Sequence, residues 1–350
     1  MSKVNLAFYL NKNCNPLTKV NDLKLPEPSP YHVLVKIEYS GICGSQIKEI
    51  DGKRGKDRYL PHLLGHEGFG RIIKVGNKIK KFKKNEYVLL SWIKGKGKEE
   101  RNLKIYHKDR FINSGQISTF SDFSLISENR CFKITSQLKK RFIPVLGCAL
   151  PTGFGLIYKE LKPKINKIFI LSGMGGIGIF SYLALKLFKP KKIIILENND
   201  KKINILKKLD KKINIIKFQN NEKKMLKKIL KITGGDFADY VIDTTGNINA
   251  MNKCLAYLKN NGKFIFASHP GHKDRLKIDP HELIKGKKIQ GSWGGSINQE
   301  KDKALLLKFY NKQFLRSKLK KLVKVYPLKK INEAIIDIKN GNVFKVILKH

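Results

Sequence analysis

Two cysteines and a histidine, far apart along the chain, are of the types that hold a borderline-soft metal. Cys43 lies in Gly41-Ile42-Cys43-Gly44-Ser45, His66 in Gly65-His66-Glu67-Gly68, and Cys148 directly follows Gly147. A catalytic zinc takes three such ligands and keeps a further position open for water or substrate. Each of the three is flanked by glycine, which suits backbone crowded around an ion. Taken singly, a cysteine or a histidine is more often packed into a core. Further on, Gly173-Met174-Gly175-Gly176-Ile177-Gly178 fits the pattern G-x-G-x-x-G. In such a turn the first glycine makes the bend and the second admits a pyrophosphate to the backbone. The third lets helix and strand pack closely, and the helix N-terminus favours the negative charge. A lone match is weak, but the apolar stretch KIFILS precedes this one and an apolar helical stretch follows. Glu197 closes KKIIILE, 19 residues beyond Gly178, where a carboxylate accepts from ribose hydroxyls. A carboxylate there repels a 2′-phosphate, so NAD is expected over NADP, with Lys202 as a second ribose contact. A glycine-rich turn that binds no nucleotide is the plain alternative.

These residues need elements to position them. The first 150 residues read mainly as short strands and turns, with strands over Tyr31–Tyr39 and Gly70–Val75. After Pro163 the style changes to a strand over Lys167–Ser172, a helix over Ile177–Phe188, a strand over Lys192–Leu196 and a lysine-rich helix over Lys201–Leu209. Strands at Tyr240–Asp243 and Lys263–Ala267 follow. Strands alternating with helices predict βαβ units and a parallel sheet. The tail returns to mixed elements and ends in the strand-like FKVILK.

Composition bounds the classes of function. The chain has 350 residues, 41% of them hydrophobic, which is ample for two packed cores and excludes wholesale disorder and a collagen-like fibre. Lys and Arg number 72 against 28 Asp and Glu, for a net charge of +44. The lysines are spread along the whole chain, in runs such as Lys207-Lys208 and Lys227-Lys228 that read as solvated helix faces. No nucleic-acid-binding signature accompanies them, so no dedicated nucleic-acid binding is expected; attraction of an anionic substrate fits the field better. The five cysteines have uneven spacing and do not suggest a paired framework, which points to a reducing cytoplasm, with Cys14, Cys131 and Cys254 reduced and structural. Ile168–Leu185 carries no charge over 18 residues, but four glycines interrupt it. It reads as strand, turn and helix, with no membrane span.

GICGS, GHEGFG, GCALPTGFG and GMGGIG, in that order, resemble the zinc-dependent medium-chain alcohol dehydrogenase/reductase family. The resemblance covers essentially the whole chain, including the tail INEAIIDIKNGNVFKVIL. It implies an α/β protein of two domains: a GroES-like, mainly β catalytic domain from residues 1–149 and 293–350, and a Rossmann doubly wound parallel sheet from residues 150–292. It implies Cys43, His66 and Cys148 as ligands of one catalytic zinc, with Glu67 behind the metal or transiently on it. Ser45 takes the proton-relay hydroxyl, Thr152 lies against the nicotinamide, and Lys345 matches a basic position used on the cofactor pyrophosphate. The substrate is then a small alcohol or carbonyl compound, and the assembly a homodimer or homotetramer paired through an edge strand over Lys287–Trp293.

The departures are as informative. Members of the family often hold a structural zinc by four close cysteines, whereas Ser91–Ser118 contains none, which excludes that site and leaves a basic loop. Gln46 stands where an Asp usually supports the histidine ligand, and an amide can still orient an imidazole. Lys48 occupies the place of a terminal relay histidine, as an acid/base group, an anion contact or neither. Asp243-Thr244-Thr245-Gly246 ends a strand and is expected to touch cofactor, while His107, His269, His272 and His281 are read as ordinary loop histidines. The function implied is zinc-dependent hydride transfer between an alcohol, polyol or sugar-derived by the charge argument, and NAD. A zinc-free reductase of an activated double bond on the same fold, and a nucleotide-binding protein without turnover, are the alternatives.

Overall fold

The apolar run before the glycine turn forms the strand Ile168–Ser172, in which every residue is buried. A strand covered on both faces belongs in the middle of a parallel sheet. In the computed structural model, which describes residues 2–134 and 138–350, it does. Six strands lie in the order Asn214–Lys217, Lys192–Glu197, Ile168–Ser172, Ala238–Asp243, Leu258–Phe266 and Lys288–Gly291, every neighbouring pair parallel. Counted along the chain this is the order 3-2-1-4-5-6, that of a doubly wound dinucleotide-binding sheet. Ile170, Ile194, Leu196, Val241 and Phe264 form its core with Met225 and Ile229 from one covering helix.

Local chemistry sets the helix ends. Asn199 and Asn221 accept the backbone N–H groups of Lys202 and Lys224, each at 3.0 Å, and so cap the helices Asp200–Leu209 and Glu222–Thr233. The first of these buries Ile203 and Leu206 and turns its lysines outward. The helix Gly176–Leu185 is buried from Gly178 onward. The uncharged stretch of the sequence is therefore strand, turn and helix, and no single helix among the described residues is long and apolar enough to cross a membrane.

The chain divides into two compact units, Met1–Cys148 with Asn298–Asn340 and Lys345–His350, and Ala149–Ile297 with Gly341–Phe344. The first unit is mainly β. Its larger sheet orders Cys131–Lys133, Tyr87–Ser91, Glu67–Val75, His32–Ile42, Lys345–Lys349 and Val323–Pro327, with Phe123–Ser127 also paired to His32–Ile42. Val33, Val35, Ile72, Val88, Leu90 and Ile126 pack on one of its faces.

The cysteine-free segment is not a plain loop. Lys104–His107 and Arg110–Asn113 form an antiparallel hairpin with Phe111 opposite Tyr106, turning at Lys108, whose φ is 52°. Ile105 and Ile112 point into a core while Tyr106 and Phe111 face out, an alternation that specifies strand. Nearby, the buried guanidinium of Arg130 reaches Glu99 at 2.7 Å, Gln116 at 2.6 Å and the Trp92 carbonyl.

Candidate active site

Cys43 directly follows the strand His32–Ile42, and His66 directly precedes Glu67–Val75. The strands are antiparallel neighbours with Ser40 opposite Gly68, so both residues emerge at one end of the sheet. Cys148 arrives there from the helical segment Lys140–Gly147. Ser91, opposite Glu67, donates its hydroxyl to the Gly147 carbonyl at 2.6 Å. A Cβ at position 147 would lie 2.5 Å from the Leu90 oxygen, so glycine alone lets this segment approach.

The three ligand atoms lie within 4.8 Å of one another, and the two sulfurs are 3.8 Å apart. His66 Nε2 is buried and has no hydrogen-bond partner. A buried ring nitrogen left open is costly, and an ion held between it and two sulfurs removes that cost. Protonation points the same way. A hydrogen bond from Cys148, then His66 and the charge of Lys345, hold the Cys43 thiol well below its ordinary range against the effect of burial. The same hydrogen bond, with burial and the charges of Cys43 and Glu67, pushes Cys148 well above it. The two sulfurs thus favour a thiolate at Cys43, the form that ligates a divalent cation. The donors present fit zinc.

Glu67 is fully buried behind the ligands, and its carboxylate receives the Lys345 ammonium. Lys345 also donates to the Ile42 carbonyl at 2.9 Å. Burial raises the Glu67 carboxyl, and the Lys345 charge opposes it. Burial likewise acts to lower Lys345, but the charges of Glu67, Cys43 and Cys148 outweigh it and hold the ammonium high. In this structure the Lys345 side chain pairs with Glu67 beside the ligands. Register is the reason, because Val346 lies opposite Ile42 and the preceding residue arrives beside Cys43.

The helix Gly44–Ile50 starts immediately after Cys43. Ser45, on its first turn, donates to Cys43 Sγ at 3.4 Å. Gln46 is buried and accepts the Cys43 N–H on its side-chain oxygen at 3.2 Å, so it fastens the helix start. The spacing that allows this, an amide three residues after the cap, was visible in the sequence. Lys48 is half-buried on the last turn.

In the second unit the glycines separate into two kinds. Gly173 has φ 84°, and a Cβ there would meet Thr245 at 2.4 Å; one at Gly178 would lie 2.2 Å from the Gly173 oxygen. At Gly175 nothing lies within 4 Å, the open backbone that an approaching pyrophosphate requires. Gly176 begins the helix, whose first N–H groups are an anion-binding end. Glu197 is buried at its strand end and accepts three backbone N–H groups, from Met174 at 3.0 Å, Asn198 at 2.9 Å and Asn199 at 3.1 Å. Lys202 is half-buried on the first turn of the following helix. Thr152 is buried in the helix Ala149–Gly155, and its hydroxyl has no hydrogen-bond partner. A role absent from the sequence reading falls to Thr244, whose hydroxyl donates to the Gly173 carbonyl at 2.8 Å and braces the turn. Asp243 in turn accepts from the N–H groups of Thr245 and Gly246 at 3.0 and 3.1 Å.

Comparison with known proteins agrees with this geometry. The pattern of the zinc-binding dehydrogenases matches residues 176–311, and that of the alcohol dehydrogenase GroES-like domain matches residues 29–136. An S-(hydroxymethyl)glutathione dehydrogenase of Saccharomyces cerevisiae is 25% identical over 94% of this chain and 92% of its own length. Alcohol dehydrogenase 6 of Peromyscus maniculatus is 26% identical over 98% of this chain and 96% of its own. Among solved structures, benzyl alcohol dehydrogenase from Acinetobacter calcoaceticus superposes with a TM-score of 0.85 at 24% identity, covering 100% of this chain and 99% of that one. The 2R,3R-butanediol dehydrogenase from Bacillus subtilis gives 0.76 at 19% identity, covering 99% of each.

Proposed function

Because the chain belongs to the zinc-dependent medium-chain alcohol dehydrogenase family, we propose that Cys43, His66 and Cys148 hold one catalytic zinc in an NAD-dependent alcohol dehydrogenase. The observation that carries this is the meeting of the Cys43, His66 and Cys148 ligand atoms within 4.8 Å of one another, with His66 Nε2 buried and unpartnered. Zinc bound there supplies Lewis-acid polarisation of the substrate oxygen, and the dinucleotide supplies the hydride chemistry. Ser45, held at Cys43 Sγ, takes the proton from the reacting hydroxyl and passes it outward. Lys48, on the last turn of the same helix, is the candidate to receive it or to hold an anionic group of the substrate. Glu67 stays paired with Lys345 and keeps a negative charge behind the ligands without competing for the metal.

On the cofactor side, Gly173, Gly175, Gly176 and Gly178 shape the pyrophosphate turn, and Thr152 offers its open hydroxyl to the nicotinamide. Glu197, with Lys202 beside it, meets the ribose. Three backbone N–H groups fix the Glu197 carboxyl at the strand end, where an acidic side chain suits ribose hydroxyls and repels a 2′-phosphate, which supports NAD over NADP. The net charge of +44, with Lys48, supports a polar alcohol that is sugar-derived or phosphorylated over a simple aliphatic one. The edge strand Lys288–Gly291 supports a homodimer or homotetramer, and five unpaired cysteines support a reducing, cytoplasmic setting.

The test is a panel of polyols, sugar phosphates, benzyl alcohol and short alcohols, each with NAD and NADP, read at the reduced-nicotinamide absorbance, on protein of measured zinc content. Turnover with NAD and about one zinc at the thiolate site is expected. Turnover limited to unfunctionalised short alcohols would overturn the charge argument. Activity independent of zinc would overturn the mechanism.

A further inference from the structure

A second cluster of metal-type donors lies in the first unit, and the reaction above does not use it. Glu49 on the helix Gly44–Ile50, Asp57, and His62 at the start of the short strand His62–Leu63 bring two carboxylate oxygens and a ring nitrogen within 4.8 Å of one another. The His62 side chain is 8% exposed and that of Asp57 10%. His62 Nδ1 lies 2.9 Å from the Leu63 carbonyl oxygen, and Nε2 lies 2.9 Å from Asp57 Oδ2 and 3.7 Å from Glu49 Oε1. A carbonyl only accepts, so Nδ1 carries a proton. In the neutral ring Nε2 is then a lone pair facing two carboxylates, and three acceptors meet at one buried point.

Something positive must sit among them, either a second ring proton or a metal ion. A proton serves the Asp57 oxygen but leaves Glu49 beyond hydrogen-bond reach. An ion serves all three. Donors at about 2.1 Å from a tetrahedral divalent ion stand roughly 3.4 Å apart, and the observed 2.9 and 3.7 Å bracket that value. The outward face of the cluster also matches a metal site. An imidazole whose far N–H is anchored on a backbone carbonyl is the usual support of a ligating histidine. The other carboxylate oxygens are engaged, Asp57 Oδ1 by the Tyr59 N–H at 3.0 Å and Glu49 Oε2 by Arg54 at 3.3 Å, which leaves one oxygen of each to face Nε2.

We propose that Glu49, Asp57 and His62 form a second site, of oxygen and nitrogen donors, for a divalent transition-metal ion such as zinc. It is separate from the thiolate centre in both residues and donor chemistry, so cobalt(II) distinguishes the two. Chelator-treated full-length protein, titrated with cobalt(II) and followed by electronic absorption and metal analysis, should take up two equivalents. One brings the intense near-ultraviolet band of thiolate-to-cobalt charge transfer, and the other adds only weak visible bands. Asp57→Asn and His62→Gln should each lose the second equivalent and keep the thiolate band, which also reports that the variant is folded. If either fails to fold, Glu49→Gln on the helix face replaces it. One equivalent, thiolate-bound and unchanged by Asp57→Asn, would overturn the proposal and identify the cluster as an imidazolium ion pair. Loss of the thiolate band from the unsubstituted protein, with the weak-band equivalent still present, would instead overturn the proposed function and support the second site.

Discussion

The metal corner of the first unit and the glycine turn of the second handle their buried polar groups in opposite ways. At the corner, His66 Nε2 and Glu67 Oε2 have no hydrogen-bond partner. At the turn, Glu197 accepts three N–H groups, Thr244 braces the Gly173 carbonyl, and Asp243 gathers the Thr245–Gly246 backbone. A centre with donors left over is completed by its ion, whereas a turn with matched groups keeps its shape alone and is ready for its ligand. The corner should therefore respond to removal of one ligand by losing its metal. The turn should respond to small steric changes by losing either stability or cofactor, according to the position changed.

The largest effect is expected at the corner. Cys148→Ala should bring bound zinc below about a tenth of an equivalent and lower turnover at least about a thousandfold, since the metal stabilises several kcal/mol of developing charge. Metal analysis beside steady-state rates decides this, and full zinc retention would break the contrast. Next, Lys345→Met leaves the Glu67 charge buried without its partner and should destabilise the protein by about 3 kcal/mol in denaturant melts. Adding Glu67→Gln should restore most of that. A single variant as stable as the parent would show that the two residues are not an ion pair.

Two alanines sharpen the reading of the turn. Gly178→Ala forces a methyl to 2.2 Å from the Gly173 oxygen and should cost about 2 kcal/mol of stability. Gly175→Ala meets nothing within 4 Å, so melts should barely move while NADH affinity, read by fluorescence, falls at least about tenfold. Equal affinity would remove Gly175 from the cofactor site.

The smallest effect is a pH dependence confined to the second unit. Burial acts to raise the Asp210 carboxyl, but Lys186 and the Tyr182 hydroxyl overcome it and hold the group at about 2, down from 3.8. The stabilisation is therefore complete above about pH 4 and lost as acid takes the pH down through about 2. Asp210→Asn should cost about 1 kcal/mol at pH 7, allowing for solvent screening, and almost nothing at pH 2. The cost should be the same with and without chelator, because this network owes nothing to the metal corner.

Much of this was legible in the sequence because it is local. The strand before the glycine turn, the helix after it and Glu197 at the next strand end follow from apolar runs and glycine spacing, and the structure places them together. The three metal-type ligands were recognisable from glycine-flanked segments in a fixed order. What escaped depends on register between distant strands. Lys345 meets Glu67 because Val346 pairs with Ile42, across some three hundred residues of chain that no spacing rule spans. By contrast, the bond from the Cys43 N–H to the Gln46 oxygen could be read from spacing, because it closes within one helical turn. His62 joins Asp57 and Glu49 only through the fold, which brings the helix Gly44–Ile50 beside its ring.

Arg130 gives the cysteine-free segment a different vulnerability from that of a four-thiolate lobe. Its guanidinium ties Glu99, Gln116 and the Trp92 carbonyl into one knot built without a cysteine. Peroxide has no thiol to oxidise there. Under oxidative stress this part of the molecule should keep its shape after the Cys43 and Cys148 thiols have reacted, so that the damage stays local and can be reversed by reductant.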